Sequence, residues 1–456
     1  MPVKPKRWLA RIMTVALVGA ATSIPAAGNL DPGLQCRLGA YRLSDGRSLA
    51  VTGFDGSPHD LRYLLSSGEY GQLSATPGGD YNLRAPKGET YGSVSFAPCA
   101  KGEAEIREEG RHALSGRKLP LQISRVFFES AGAHLFGTLV MPTDGSASAV
   151  VVWVEGSNDD PSTDDLDWQF VLPLNGIGVF VYDKRGTGQS GGQVSADFYV
   201  RAADTAAAAK EARQLAPEAQ RFGVFGGSQG GWVAPLAATL TPLDFVIVGY
   251  GLAEGVTAQD RDEVEEEVRA AGFGDNVIPK VREITDATTR IVKSGWTSGY
   301  DELTAVEKKY SGEPWFKAIT TENGYTGMML KAPVDQIRTM GPKLDKHVSF
   351  NYDPRPVIES IRPRQLWILG GADHTAPNAR TIEILKQIQT SRSDLDLVVY
   401  EDADHGLTET FESNGITRHR YPAGLSDLIT NWITQGKLPR SRNGLAVMHP
   451  TIRTGL

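Results

Sequence analysis

The decapeptide GVFGGSQGGW at 223–232 places one serine, Ser228, between two pairs of glycines. An apolar segment, Phe222–Phe225, precedes it, and a helix-like pattern, WVAPLAATL, follows. Residues 226–230 fit G-x-S-x-G, the pattern of a serine on a sharp strand-to-helix turn. In such a turn the residues two before and two after the serine approach each other, so both must be small. We therefore predict that Ser228 is a nucleophile; a structural serine in a tight turn is the alternative.

The chain from about residue 121 alternates apolar segments with helical patterns. Strands that are apolar on both faces belong to a covered, mostly parallel sheet, and alternation with helices indicates a doubly wound α/β domain. The predicted parallel strands are Ala149–Val154, Gly178–Tyr182, Phe222–Phe225, Phe245–Gly249, Gln365–Leu369 and Leu395–Tyr400. The predicted helices are Asp165–Leu174, Ala196–Leu215, Trp232–Leu240, Ala379–Gln389 and Leu425–Gln435.

Other segments do not follow this alternation. Short alternating runs between turn signals predict a small β-rich domain over 29–120. A mixed helical stretch at 251–360 is too long for a loop and predicts a helical cap inserted between the core segments 121–250 and 361–440. We expect substrate choice to depend on this cap, although its aromatic side chains can equally pack its own core. A loose tail is expected over 441–456.

The first 28 residues have the order of a secretory signal peptide. A basic flank ending at Arg11 precedes the short apolar run 12–22 and the small residues of 23–28. We expect export to the periplasm or the extracellular medium and no stable membrane span after cleavage; an uncleaved anchor is the alternative.

Composition limits the partners. The formal net charge is −7 without a basic patch, so a nucleic-acid partner is not expected. The acidic run 260–269 is expected to be a solvated helix face. The only cysteines, Cys36 and Cys99, suggest one disulfide in an exported chain, with two free thiols as the alternative. Their surroundings do not suggest a metal site. The oligomeric state is open.

A serine nucleophile needs a base, and the base needs a carboxylate that orients it. His405 follows the last apolar strand, and loops after strand ends carry the chemistry of α/β sheets. Asp373 follows the strand before it and gives the order serine, acid, histidine. Asp402 and Asp404 are the competing carboxylates. His374 is expected to be a wall or capping residue.

The oxyanion of an acyl-transfer reaction needs two backbone donors. The first candidate is the N–H of Gln229, directly after the nucleophile. The second is the N–H of Ser157, in the loop after the strand Ala149–Val154, where Gly156 permits a turn.

The sequence from about 121 to 440 resembles the serine α/β-hydrolases, especially their exported esterase and acyl-hydrolase branch. The matching segments are WVEGSNDDPS (153–162), VYDKRGTGQSGG (181–192), GVFGGSQGGW (223–232), LGGADHTAP (369–377) and DADHGL (402–407). The resemblance implies that Asp183 and Arg185 hold a structured loop and perform no chemistry. One residue departs from the family pattern: Glu155 stands where a histidine commonly precedes the oxyanion glycine.

These residues together predict a hydrolase of the carboxylesterase type. Ser228, His405 and Asp373 would cleave an acyl bond through an acyl-enzyme, without a metal or organic cofactor. The expected partner is a small-molecule or acyl substrate. A carboxylic ester is the simplest such substrate, and a thioester or peptide bond would use the same groups. An exported serine peptidase and a non-catalytic binding protein of the same fold are the alternatives.

Overall fold

The computed structural model of the protein describes residues 30–54, 57–320, 324–438 and 446–450. The predicted signal peptide lies outside these ranges. The chain forms two compact units. One consists of Leu252–Pro356 with Asp373–Ile384, and the other contains the remaining described residues.

The N-terminal region of the larger unit is an antiparallel sheet. Strand β4 pairs with β3 on one side and with β5 on the other, so eight strands close into a barrel in the order β4-β3-β2-β1-β8-β7-β6-β5. The barrel strands are β1 (Gly39–Leu43), β2 (Ser48–Gly53), β3 (Leu61–Leu65), β4 (Glu69–Ala75), β5 (Tyr81–Arg84), β6 (Thr90–Phe96), β7 (Glu103–Glu108) and β8 (Leu114–Lys118). The β-rich N-terminal region is therefore as predicted, and Cys36 and Cys99 form a disulfide within it.

The centre of the larger unit is a nine-stranded, mostly parallel sheet. Its strands include β9 (Gln122–Ser130), β10 (Ala133–Met141), β11 (Ala149–Val154), β12 (Ile177–Tyr182), β13 (Phe222–Gly227), β14 (Phe245–Gly249), β15 (Arg364–Gly370) and β16 (Leu395–Tyr400). The spatial order is β16-β15-β14-β13-β11-β12-β10-β9, in which β10 runs antiparallel to both of its neighbours, β12 and β9. Continuous apolar sequences occupy these strands because both faces are covered.

Helices cover both faces of this sheet. Helices α1 (Trp168–Val171) and α11 (Leu425–Gln435) share a core with alternate residues of β11, including Val151 and Trp153. Helix α3 (Gly230–Leu240) lies on the opposite face, where Ala234 approaches Gly226 of β13, and it packs beside α2 (Phe198–Leu215). The predicted doubly wound α/β fold is confirmed.

Two C-terminal segments depart from the predicted organisation. The hairpin β17 (Glu409–Ser413) and β18 (Ile416–Arg420), expected within the α/β core, extends the N-terminal sheet by pairing β18 with β4. Within the expected tail, β19 (Ala446–His449) pairs antiparallel with β16. The two hairpin strands are short and largely polar, and β19 has only four residues, so their pairing depends on tertiary contacts that local sequence patterns do not encode.

Arg418 fixes this hairpin to the barrel. Its Nη1 donates hydrogen bonds to Glu69 Oε1 at 2.8 Å and to Glu108 Oε2 at 2.9 Å. Its guanidinium also lies 3.9 Å from the ring centroid of Tyr91. All three charged side chains are largely buried, so this ion pair network joins β18 to β4 and β7.

The smaller unit is helical. It contains the helices α4 (Val256–Ala270), α5 (Ile278–Lys293), α6 (Tyr300–Tyr310), α7 (Tyr325–Leu330) and α8 (Val334–Leu344). Helices α9 (Arg355–Ser360) and α10 (Ala379–Gln389) each include residues of both units. The predicted cap 251–360 thus corresponds to most of this unit, which also includes residues after β15.

The packing of the cap involves both its acidic run, 260–269, and its aromatic side chains. The acidic run on α4 is only partly solvated, because Asp260 and Glu265 are buried. Thr326 donates to Asp260, and Arg282 donates to Glu265. The aromatic residues Trp296, Tyr300, Tyr310 and Trp315 are buried in the cap's own apolar clusters. These four side chains therefore stabilise the cap.

Among the residues that the structure describes, no helix is both long and apolar enough to cross a membrane.

We predict that Arg418→Ala destabilises the protein by about 3–5 kcal/mol, because it removes the buried cation from Glu69 and leaves Glu108 with only the exposed Arg111. Urea unfolding measures this change. Arg420→Ala is the matched control, since Arg420 pairs with Glu409 from a side chain that is 45% exposed, and it should cost under about 1 kcal/mol. Equal losses in the two variants would contradict a special role for Arg418.

Candidate active site

Ser228 lies in the two-residue turn between β13 and α3. Its φ of +53° is in the left-handed region, which a residue with a side chain adopts only under strain. Its amide donates to the carbonyl of Gly249 at 3.1 Å, and its carbonyl accepts from Gly231 at 2.8 Å. The turn is therefore held at both ends, and the helix N-terminus begins directly after the serine.

The glycines around Ser228 are required by close contacts. A Cβ on Gly226 would collide with the carbonyl oxygen of Gly230, as the predicted approach of these two positions requires. A Cβ on Gly230 would collide with the carbonyl oxygen of Val154, at the end of β11. Because these side chains are absent, the end of β11 can lie against the first turn of α3.

His405 is within hydrogen-bond distance of the serine. Its Nε2 lies 3.0 Å from Ser228 Oγ. The ring of Tyr250 packs edge-on against the imidazole, with 5.2 Å between centroids and an interplanar angle of 74°. The structure thus brings together the serine and the histidine that the sequence singled out, and Tyr250 limits the positions that the imidazole can occupy.

Asp373 follows the end of β15 and is 6% exposed. Its Oδ1 accepts hydrogen bonds from the amides of Thr375 and Ala376, at 3.1 and 2.8 Å. The preceding amide, Ala372 N–H, donates to the carbonyl of Ala403 at 3.0 Å, two residues before His405. This hydrogen bond holds Ala372, at the end of the segment after β15, beside the start of the His405 loop.

The competing carboxylates Asp402 and Asp404 are exposed. His374 is also exposed, and its Nδ1 contacts the carboxylate of Glu266.

The loop after β11 reaches the nucleophile. A Cβ on Gly156 would lie 3.3 Å from Ser228 Cβ and 3.8 Å from Ser228 Oγ. No residue within the described ranges accepts a hydrogen bond from the amide of Ser157 or from that of Gln229. Both predicted oxyanion donors are therefore available to a ligand.

Lys184 sets the orientation of this loop. Its Nζ donates to the carbonyl of Gly156 at 3.1 Å and to Asn158 Oδ1 at 2.8 Å, and it also contacts the Asn158 carbonyl. In a trans peptide the C=O and the following N–H point in opposite directions. Because Lys184 binds the Gly156 carbonyl, the Ser157 N–H points away from Lys184.

Arg201 of α2 holds both donor segments. Its Nη2 donates to the carbonyl of Glu155 at 2.5 Å, and its Nη1 contacts the side-chain oxygen of Gln229. Burial lowers the pKa of Arg201. Burial and the nearby charge of Arg201 together lower the pKa of Lys184. Burial raises the pKa of Glu155. These groups form a polar network directly behind the loop 155–158.

Asp183 and Arg185 form hydrogen bonds with neighbouring loops and with α2. Asp183 Oδ1 accepts from the amides of Ser162 and Thr163 at 2.9 and 3.0 Å, and its Oδ2 accepts from the amide of Gln189 at 3.0 Å. Burial raises the pKa of Asp183, and these hydrogen bonds oppose the shift. Arg185 donates two hydrogen bonds to Asp204 of α2, at 2.7 and 2.5 Å.

Three further residues of this site, Lys184, Arg201 and Tyr250, carry only weak signals in the sequence. Lys184 lies inside the quoted segment 181–192 but was not assigned a role. Arg201 is a charged residue on the buried side of an alanine-rich helix, and this pattern could have marked it. Tyr250 directly follows β14, at the edge where functional residues of α/β sheets collect.

Within the part of the chain that the structure describes, no group of three or more His, Cys, Asp or Glu side chains is placed to hold a metal ion.

The model of the alpha/beta hydrolase family matches residues 153–413, which is more than half of the chain. The chain belongs to this family. Its matched segment begins in β11 and ends with β17, so it includes the serine turn, the Asp373 segment and the His405 loop.

Solved structures of similar fold include an esterase of Pyrococcus furiosus, with 15% identity, a TM-score of 0.38, and coverage of 63% of this chain and 83% of that one. The acylaminoacyl peptidase of Pyrococcus horikoshii has 14% identity and a TM-score of 0.40, over 79% of this chain and 51% of that one. Acetyl xylan esterase 1 of Thermoanaerobacterium has 16% identity and a TM-score of 0.39, over 73% and 87%. No curated protein sequence matches the chain.

We predict that Gly226→Ala destabilises this hydrolase by about 2–3 kcal/mol, because the added methyl group meets the Gly230 carbonyl in a packed turn. Thermal unfolding and circular dichroism measure the change. Gly78→Ala is the matched control, since its Cβ would meet only Thr76 Oγ1 at 3.8 Å, and it should change stability by under about 0.5 kcal/mol. Equal stability of the two variants would contradict the close packing of the turn.

Proposed function

We propose that the protein is a serine hydrolase that cleaves a carboxylic ester through an acyl-enzyme. The contact between Ser228 Oγ and His405 Nε2, at 3.0 Å on a strained strand-to-helix turn, carries the proposal. Membership of the alpha/beta hydrolase family supports hydrolysis in general. The ester is the simplest substrate for this arrangement of groups.

In the first half of the reaction, Ser228 Oγ attacks the carbonyl carbon while His405 Nε2 takes the hydroxyl proton. The carbonyl oxygen becomes negative and accepts hydrogen bonds from the amides of Gln229 and Ser157. When the tetrahedral intermediate collapses, the bond to the alcohol oxygen breaks and His405 returns its proton to the departing alcohol.

In the second half, His405 removes a proton from water, which attacks the acyl carbon. The bond to Ser228 Oγ breaks, the serine recovers its proton from His405, and the carboxylic acid leaves. Asp373 would accept a hydrogen bond from the Nδ1–H of His405 and, remaining ionised, stabilise the imidazolium that forms in each half. Lys184 and Arg201 are positioning residues, because they act on the orientation of the oxyanion donors.

We also propose that the protein is exported. The predicted signal peptide and the disulfide between Cys36 and Cys99 support this location, because disulfides persist in oxidising compartments.

The test of the nucleophile is labelling by a fluorophosphonate probe. We expect covalent labelling of the folded wild type and none of Ser228→Ala, because only an activated serine reacts with the probe. Hydrolysis of p-nitrophenyl esters should be lost in the same variant, with short peptides assayed in parallel to detect a peptidase. A folded wild type that remains unlabelled would refute the assignment of Ser228.

The test of the acid compares two carboxylates. Asp373→Asn should lower kcat for a p-nitrophenyl ester by about 10³-fold or more, because the amide no longer stabilises the charged imidazole. Asp402→Asn is the control and should change kcat less than about threefold, since Asp402 is exposed. A larger loss of kcat in Asp402→Asn than in Asp373→Asn would contradict the assignment of Asp373 as the acid.

A further inference from the structure

A cavity of about 150 Å³ lies in the larger unit beside the His405 loop. Gly406 and Leu407, directly after the histidine, form part of its wall, together with Tyr250 and Glu155. A cavity of this size holds a group about as large as benzene. Because His405 must return a proton to the departing alcohol, the alcohol part of an ester lies on the side of this loop.

Five aromatic rings line the cavity, and they support one another. Trp153 stacks on Phe225 with 4.0 Å between centroids, and Trp168 lies 6.1 Å from Trp153 and 5.2 Å from Tyr421. Tyr250 is the fifth ring. Each ring is fixed by its neighbours, so the aromatic surface is formed before a ligand enters.

The charged groups that line the cavity are mostly negative. They are the carboxylates of Glu155, Asp160, Asp165 and Asp167 and the guanidinium of Arg62. Arg62 is already compensated, because its Nε lies 3.2 Å from Asp167 and its Nη2 donates to the Tyr421 hydroxyl at 3.1 Å. It also lies over the ring of Tyr70 at 4.5 Å.

Glu155 differs from these groups. No residue in the described parts of the chain donates a hydrogen bond to its carboxylate or forms an ion pair with it within 4 Å. The nearest cations, Lys184 and Arg201, bind backbone and amide oxygens of Glu155, Gly156, Asn158 and Gln229. Burial raises the pKa of Glu155; the charges of Lys184, Arg201 and Arg62 oppose this shift, and the charge of Asp167 adds to it. The carboxylate is therefore an acceptor to which no described residue donates a hydrogen bond, and the nearby cations act on it only from beyond 4 Å.

We propose that this cavity is the leaving-group subsite and that Glu155 selects esters whose alcohol part carries a positively charged ammonium group. Aromatic faces attract such a cation, and the carboxylate adds an opposite charge. The inference rests on the proposed ester hydrolysis and adds a substrate class to it. It also gives a role to the residue that departs from the family pattern.

The experiment compares two esters of the same shape, acetylcholine and its neutral carbon analogue 3,3-dimethylbutyl acetate. We expect kcat/KM of the wild type to favour the cationic ester by about tenfold or more, the order of one cation–π contact with a carboxylate. Glu155→Gln keeps the shape of the side chain and should bring the ratio close to one. Glu401→Gln is the matched control: Glu401 is exposed and does not line the cavity, so its variant should keep the wild-type ratio.

A second readout does not depend on catalysis. Tetramethylammonium chloride should bind Ser228→Ala in calorimetry, with sodium chloride as the ionic-strength control, and binding should weaken about tenfold when Glu155→Gln is added. Equal rates on the two esters, or a ratio unchanged by Glu155→Gln, would overturn the inference. Labelling of Ser228 and hydrolysis of p-nitrophenyl acetate would then still support the proposed function. Loss of both the labelling and all ester hydrolysis would remove the proposed function together with this subsite.

Discussion

The close approach of β11, β13 and α3 is the constraint on which the site depends. Gly226 meets the Gly230 carbonyl, and Gly230 meets the Val154 carbonyl, without a side chain between them. This packing leaves Ser228 at a positive φ directly before the helix N-terminus. It also brings the loop that begins at Glu155 next to the serine, so a single set of glycines places both the proposed nucleophile and the proposed oxyanion donors.

Two buried cations then fix the direction of the donor groups. Burying a guanidinium or an ammonium group costs several kcal/mol, so such groups persist where they satisfy specific acceptors. Arg201 binds the Glu155 carbonyl and the Gln229 side chain, and Lys184 binds the Gly156 carbonyl. The Gly156 carbonyl belongs to the same peptide group as the Ser157 N–H, and the Glu155 carbonyl lies one peptide group earlier. The Gln229 side chain belongs to the residue that carries the other N–H. We infer that the cost of burial is offset by a defined orientation of the loop.

Features set by neighbouring residues were predictable from the sequence, whereas features set by contacts between distant residues were not. The bounds of Ala149–Val154, Phe245–Gly249 and Leu395–Tyr400 match the structure, because continuous apolar runs that end in turns define buried strands locally. Ser228 and His405 were found because short motifs and strand ends mark them. The pairing of β18 with β4 was not predictable, because it joins residues about 350 positions apart through polar strands. Lys184 and Arg201 were missed because their role depends on which backbone oxygens they reach.

The pairing of β18 with β4 changes the role of the N-terminal barrel. The hairpin β17–β18 begins four residues after His405, and the Tyr70 hydroxyl of β4 forms a 2.6 Å hydrogen bond with Thr408 Oγ1. Thr408 in turn accepts from the Asp404 amide at 2.8 Å, across the turn that carries the histidine. The barrel thus supports the His405 loop and supplies Arg62 to the cavity wall, whereas the large cap aromatics pack within the cap. Since the barrel and the nine-stranded sheet belong to one compact unit, the barrel is best understood as part of the structure that supports the proposed active site, and its β3 strand as a part of the wall of the proposed subsite.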